Sequence, residues 1–143
     1  MSNNIQAIRD DFAFLDDWED RYRYIIELGN ELPPFPEEAR DAVHKVQGCV
    51  SQVWLLTHRS QESDPVLTFD GDSDAHIVRG LVAIMLALFS GKRASEIGRI
   101  DVEGVMAELG LDEHLTPQRA NGLRSMVKRI KRDAERSLAM EGS

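Results

Sequence analysis

Val53-Trp54-Leu55-Leu56-Thr57-His58-Arg59-Ser60-Gln61-Glu62-Ser63-Asp64-Pro65-Val66-Leu67-Thr68-Phe69 decides the fold class. Its opening run, Val53-Trp54-Leu55-Leu56, is apolar without a break and rich in branched and aromatic side chains, which predicts a strand buried on both faces. Arg59 to Asp64 is polar enough for a turn, and Val66-Leu67-Thr68-Phe69 reads as a second, antiparallel strand. The segment before Gly48 is expected to add a third strand, and Asp70-Gly71-Asp72 to end the unit.

Helical patterns lie on both sides of this hairpin. Ile5, Ile8, Phe12 and Leu15 share one helical stripe, and Trp18, Tyr22, Ile25 and Ile26 share another. They predict two helices packed as a hairpin, with Asp17 as N-cap of the second and Gly29 as its stop. Leu32-Pro33-Pro34-Phe35-Pro36 then forms a rigid connector, because proline lacks an amide donor and disfavours helical geometry in the residue before it. After the strands, Ser73 or Asp74 is expected to cap a helix reaching Ser90. Apolar residues from Ile77 to Phe89 surround most of that helix, so it should be central and buried. Short helical pieces are expected over Ser95 to Leu109. Thr116 and Pro117 then open a long helix with Leu123, Met126, Val127, Ile130, Ala134 and Leu138 on one face. Helices, short antiparallel strands and helices in this order define an α+β class, a short antiparallel sheet packed with helices. The 143 residues suit a single domain over 1–143 with short mobile termini.

Composition narrows the function. The chain is 42% hydrophobic and 29% charged, the balance of a globular protein. A formal charge of −8 opposes nonspecific nucleic-acid binding, which depends on cations facing phosphates, and favours soluble protein partners. No apolar run approaches the roughly 20 residues a bilayer helix needs, and the start lacks a basic region followed by a signal core; a cytoplasmic location and no membrane partner are expected. The four histidines, His44, His58, His76 and His114, show no metal-ligand spacing. Arg124, Lys128, Arg129, Lys131, Arg132 and Arg136 read as a solvated helix side, and Trp18 and Trp54 as core anchors. The single cysteine, Cys49, rules out an internal disulfide, so any disulfide or sulfur exchange there involves a second molecule.

Cys49 stands in Val46-Gln47-Gly48-Cys49-Val50-Ser51-Gln52-Val53-Trp54. Gly48 permits a left-handed path and a close approach by another chain, a setting that can present a nucleophile at a loop tip. A lone cysteine is more often a small buried hydrophobe, and spacing alone does not establish reactivity. Val46, Val50, Val53 and Trp54 around it predict a sheltered thiol.

These residues resemble the SufE family, with its glycine-cysteine element leading into a valine-tryptophan strand. The likeness continues through Tyr24-Ile25-Ile26-Glu27-Leu28-Gly29, Leu32-Pro33, Gly71-Asp72-Ser73-Asp74-Ala75, Ile77-Val78-Arg79-Gly80-Leu81, and His114-Leu115-Thr116-Pro117 with Arg119 and Gly122. It therefore spans nearly the whole chain in order. The resemblance implies a fold shared with IscU-like iron–sulfur scaffold proteins, yet one cysteine cannot supply the several thiolates of an ordinary cluster site. It implies instead a sulfur acceptor that takes persulfide sulfur on Cys49 from a SufS-like cysteine desulfurase, stimulates that enzyme and delivers sulfur to a downstream iron–sulfur scaffold. Pyridoxal phosphate belongs to that partner, and no cofactor or metal is expected in this chain, which would act as a monomer or homodimer and not as a stand-alone enzyme. Supporting positions are Gly48 and Ser51 beside the thiol; Asp72 and Asp74, which shape the pocket or partner surface or simply cap the loop; His76, a functional imidazole or helix-start packing; and Arg119, which favours thiolate, steadies a carboxylate or is only a surface arginine. Two other classes stand beside this one: a stand-alone cysteine enzyme, for which no local histidine motif exists, and a binding-only regulator of a desulfurase.

Overall fold

The computed structural model describes residues 5–48 and 51–142. The outermost terminal residues, Cys49 and Val50 lie outside the described residues, and with them the sheltered thiol and part of the expected mobile tails. The fold is α+β, with helices packed on a three-stranded antiparallel sheet.

Helix α1 (Ile5–Phe14) and helix α2 (Trp18–Asn30) form the expected pair. Asp17 caps α2 by accepting the Glu19 amide at 2.7 Å, satisfying one of the orphan donors of the first turn. Arg21 reaches back to the carbonyls of Phe12 (2.8 Å) and Leu15 (2.9 Å), and the Phe12 ring meets Trp18 and Tyr24 edge-on, so aromatic packing and one guanidinium join the two helices. Gly29 does not stop α2, which runs on to Asn30. It faces Gly80 of helix α3 (His76–Phe89): a Cβ on Gly29 would lie 2.6 Å from the Gly80 amide nitrogen, and one on Gly80 would overlap the Ile25 carbonyl oxygen. Two glycines thus let the helix backbones cross in contact.

Strand β1 (Val53–Arg59) pairs antiparallel with strand β2 (Val66–Ser73), in register from Val53 opposite Ser73 to Arg59 opposite Leu67. Three expectations need correction here. β1 is not buried on both faces: Val53 and Leu55 are buried, whereas Trp54 and Leu56 on the other face are half-exposed, because the packed layer covers one side. Asp70-Gly71-Asp72 does not close the unit as a turn but is itself strand, and β2 ends one residue later at Ser73, since Gly71 lets the strand pass against α3, where a Cβ would sit 2.7 Å from Val82 Cγ1. The third strand is Lys92–Arg93 (β3) beside β2. The segment before Gly48 makes only a bridge, Lys45 to Trp54, with the Val46 amide donating to Val53 O at 2.8 Å and the Leu55 amide to His44 O at 2.8 Å.

Nine of the fourteen residues of α3 are buried, so it is the central helix. Neither Ser73 nor Asp74 is its N-cap. Ala75 holds that place without a side-chain bond; Ser73 Oγ accepts the Ala75 amide at 3.3 Å and Asp74 is turned elsewhere. Short helices α4 (Ala94–Ile97), α5 (Val102–Leu109) and α6 (Leu111–His114) follow. Helix α7 (Pro117–Gly142) is capped by Thr116, whose Oγ1 accepts the Arg119 amide at 3.2 Å. Leu123, Met126, Ile130 and Ala134 bury its inner face in one continuous core with α3 and the sheet.

Candidate functional site

Two arms lead to and from the segment that contains Cys49, and separate contacts hold each. On the entry side, Val46 is buried and bonded to β1, and Arg129 of α7 donates to Val43 O (2.9 Å) and Lys45 O (3.3 Å). Gly48 has φ +91°, the left-handed region its residue type allows, and a Cβ there would lie 2.5 Å from Ser125 Oγ of α7. On the exit side, Asp74 accepts the Gln52 amide at 3.1 Å and its side-chain amide at 3.4 Å, while the Asp74 amide donates to Gln52 O at 3.3 Å. Loop backbone that would otherwise depend on water is paired on both sides.

Each described end opens onto a cleft. Ser51 and Arg119 line one of about 240 Å³ whose walls are mainly apolar, including Val53, Val78, Leu81 and Met126. Gly48 lines a second, of about 480 Å³, with Ser125, Lys128, Arg129 and Arg132. The structure therefore brings Ser51 and Arg119 together and ties Asp74 to the exit arm.

Asp72 has a different environment. Its Oδ2 accepts from Arg40 Nη2 at 2.6 Å and its Oδ1 accepts the Ser73 amide at 2.8 Å and lies 2.8 Å from Arg79 Nε. The Arg40 guanidinium in turn lies over the rings of Phe35 (5.4 Å) and Trp54 (5.1 Å). The bond to Asp72 raises the Arg40 pKa, against the opposing pull of burial. Asp72 thus clamps the proline-rich connector and α3 to the end of β2. His76 is exposed at the first position of α3 and lines neither cleft.

Arg40 and Ser125 are not singled out by sequence, and Arg129 reads there only as one member of a basic group. Arg129 is indistinguishable by residue type from its cationic neighbours on α7, and only tertiary contact separates them: Arg124 pairs with Glu103 at 3.0 Å, Lys131 donates to Ile100 O at 3.0 Å, and Arg129 is drawn into the entry arm. The reading of this basic group as one solvated side is therefore corrected. Trp18 is half-buried, stacked on His114 with centroids 3.9 Å apart. Among the described residues no three His, Cys, Asp or Glu are grouped so as to hold a metal ion, and no helix is long and apolar enough to cross a membrane.

The architecture is that of a solved α+β protein: the solution structure of a hypothetical protein from Thermus thermophilus superposes with a TM-score of 0.73 over 94% of this chain and 96% of that one, at 19% identity, a likeness of fold. The family model described as SufE, Fe-S metabolism associated domain, matches residues 6–134, and this chain belongs to that family. It is 65% identical to an uncharacterized SufE-like protein of Rhizobium meliloti over 92% of this chain and 95% of that protein. A second uncharacterized SufE-like protein, from Rhizobium etli, is 59% identical over 92% and 90%. The chain is thereby associated with iron–sulfur metabolism.

Proposed function

We propose that this protein is a sulfur carrier in which Cys49 accepts persulfide sulfur from a SufS-like cysteine desulfurase, stimulates that enzyme and passes the sulfur toward an iron–sulfur scaffold in the cytoplasm. The observation that carries the reading is the placement of the chain's single cysteine between two pinned arms, Gly48 against α7 and Gln52 on Asp74, in a chain whose family membership spans residues 6–134. The Cys49 thiolate attacks the terminal sulfur of the partner's cysteine persulfide. A new bond forms between Cys49 Sγ and that sulfur, the partner's sulfur–sulfur bond breaks, and its electron pair leaves on the partner thiolate. Cys49 then carries the persulfide. No redox reagent is consumed, and the pyridoxal phosphate that generates the persulfide stays with the desulfurase.

Thiol acidity contributes little to this step. Lowering a thiol pKa from about 8.5 by one unit raises the ionised fraction near pH 7.5 from about 10% to about half, but weaker nucleophilicity leaves a gain of roughly twofold. Docking and alignment dominate instead. Arg119, on the cleft that Ser51 also lines, supplies a positive charge for the attacking or carried sulfur anion. Intact-mass measurement after incubation with a desulfurase and cysteine should show a reductant-labile sulfur adduct mapping to Cys49. Cys49→Ser should fold, by circular dichroism and thermal melting, yet take up no sulfur and no longer stimulate the enzyme. Arg119→Glu should slow uptake while Arg23→Glu, on α2, should not. An unmodified chain beside an actively turning-over desulfurase would overturn the carrier reading.

A further inference from the structure

The cleft on the Gly48 side has a chemistry that the transfer step does not use. Lys128 and Arg132 line it from α7, one helical turn apart and on the same face, and both are exposed. Several other cations of the fold are engaged: Arg9 lies 3.1 Å from Glu108, Arg93 3.6 Å from Glu62 and Arg124 3.0 Å from Glu103, while Arg21, Arg129 and Lys131 donate to backbone carbonyls. Lys128 and Arg132 have no hydrogen bond or ion pair with any described residue. In a chain of net charge −8, two unneutralised cations beside the entry arm form a local patch of opposite sign. Arg129, which lines the same cleft, holds the entry arm by its carbonyls, so the floor of the patch and the arm leading to Cys49 are one unit. Val43, whose carbonyl Arg129 holds, is 74% exposed, one of the few large apolar side chains among the described residues left in water.

We propose that this groove docks an acidic surface segment of the desulfurase, with carboxylates spaced to meet Lys128 and Arg132 and an apolar side chain set against Val43. The inference rests on the carrier reading and names the surface through which the donor is held. In a chain of net negative charge, attraction at two neighbouring cations beside the entry arm favours encounters with that arm facing the donor. Transfer also brings the Cys49 thiolate up to the partner persulfide, whose terminal sulfur adds a second negative charge where it is ionised, and the thiolate charge then leaves on the partner sulfur. Cations on the flank of that segment lower the cost of gathering those charges.

The test is sulfur uptake by intact mass at varied concentrations of a pyridoxal-phosphate-dependent cysteine desulfurase, across a salt series. The chains compared are wild type, Lys128→Glu with Arg132→Glu, and a charge-matched control, Arg23→Glu with Arg99→Glu, which lies off the groove. The groove pair should raise the half-saturating desulfurase concentration about tenfold or more at low salt, with the gap narrowing to about twofold near 0.5 M salt, where screening acts over a few ångströms. The control should stay close to wild type, and Lys128→Gln with Arg132→Gln, tested likewise, provides a milder loss should the reversed pair fold poorly. Equal half-saturation for wild type and both groove variants, or equal losses in groove and control pairs, would overturn the groove as the docking site while the carrier reading stands. No sulfur on the wild-type chain would instead remove the carrier reading itself.

Discussion

Replacing Gly48 by alanine should destabilise the protein by about 2 kcal/mol, through two separable effects. The first is backbone: at φ +91° an L-residue holds its Cβ against its own chain, costing about 1–2 kcal/mol. The second is the approach to α7, where the new Cβ would lie 2.5 Å from Ser125 Oγ and 3.3 Å from Ser125 Cβ. The hydroxyl sits one rotatable bond from the helix and can swing away, so this contact adds no more than about 1 kcal/mol, the order of an unfavourable rotamer. For a chain of this size, about 2 kcal/mol lowers the melting temperature by about 4–8 °C. Ser125→Ala separates the effects: on that background Gly48→Ala should still cost about 1–2 kcal/mol, because removing the hydroxyl leaves the dihedral unchanged. If the segment detaches before the fold melts, the loss in melting temperature is capped and alkylation of Cys49 accelerates instead. Thermal melting and alkylation rates measured on the four chains test the reasoning. Wild-type melting together with wild-type alkylation in Gly48→Ala would refute it, since the native segment then would not be held in this geometry.

Gly80→Ala should be more damaging, about 3 kcal/mol or more by denaturant titration, because the new methyl meets the Ile25 carbonyl and neither backbone can rotate aside; a loss under about 1 kcal/mol would mean that α2 and α3 separate easily. Asp72→Ala should cost about 2–3 kcal/mol by the same titration, since Arg40 and Arg79 lose their carboxylate where the Asp72 side chain is only 13% exposed, whereas exposed Asp74→Ala should cost less than about 1 kcal/mol. The still-folded Asp72→Ala protein should accept sulfur, and equal stability of the two variants would remove the clamp. Asp64 accepts both the hydroxyl (2.5 Å) and the amide (3.0 Å) of Ser95, and these bonds hold its pKa below the usual carboxylate range. Its contribution is therefore present above the unfolded value near 3.9 and is lost as pH falls through the lower folded value. Stability measured against pH should show a shallower acid limb in Asp64→Asn than in wild type, and parallel limbs would contradict this assignment.

Local signals determined much of the architecture. Asp17 and Thr116 cap helices because a short side-chain oxygen can reach amides two or three residues on, a property that needs no distant partner. The apolar circumference of residues 77–89 likewise marks a central helix before any packing is known. The conformational freedom of Gly48 was legible for the same reason, and the family motif directed attention to Ser51, Asp74 and Arg119. Tertiary structure alone decided which residue meets which. Lys92–Arg93 became the third strand because β2 pairs with it across a helix, whereas the run before Gly48 is held to a single bridge and tied to α7. Gly29 serves a helix crossing instead of a helix end because its neighbour is Gly80, fifty-one positions away in sequence. Asp72 and Asp74 are chemically alike and two residues apart, yet strand pairing points one toward Arg40 and the other is carried to Gln52. Arg129 and Arg132 differ only in helical phase: one reaches the carbonyls of the entry arm, and the other is left facing solvent. Residue type sets what a side chain can bond, while the folded path of the chain sets which partner arrives.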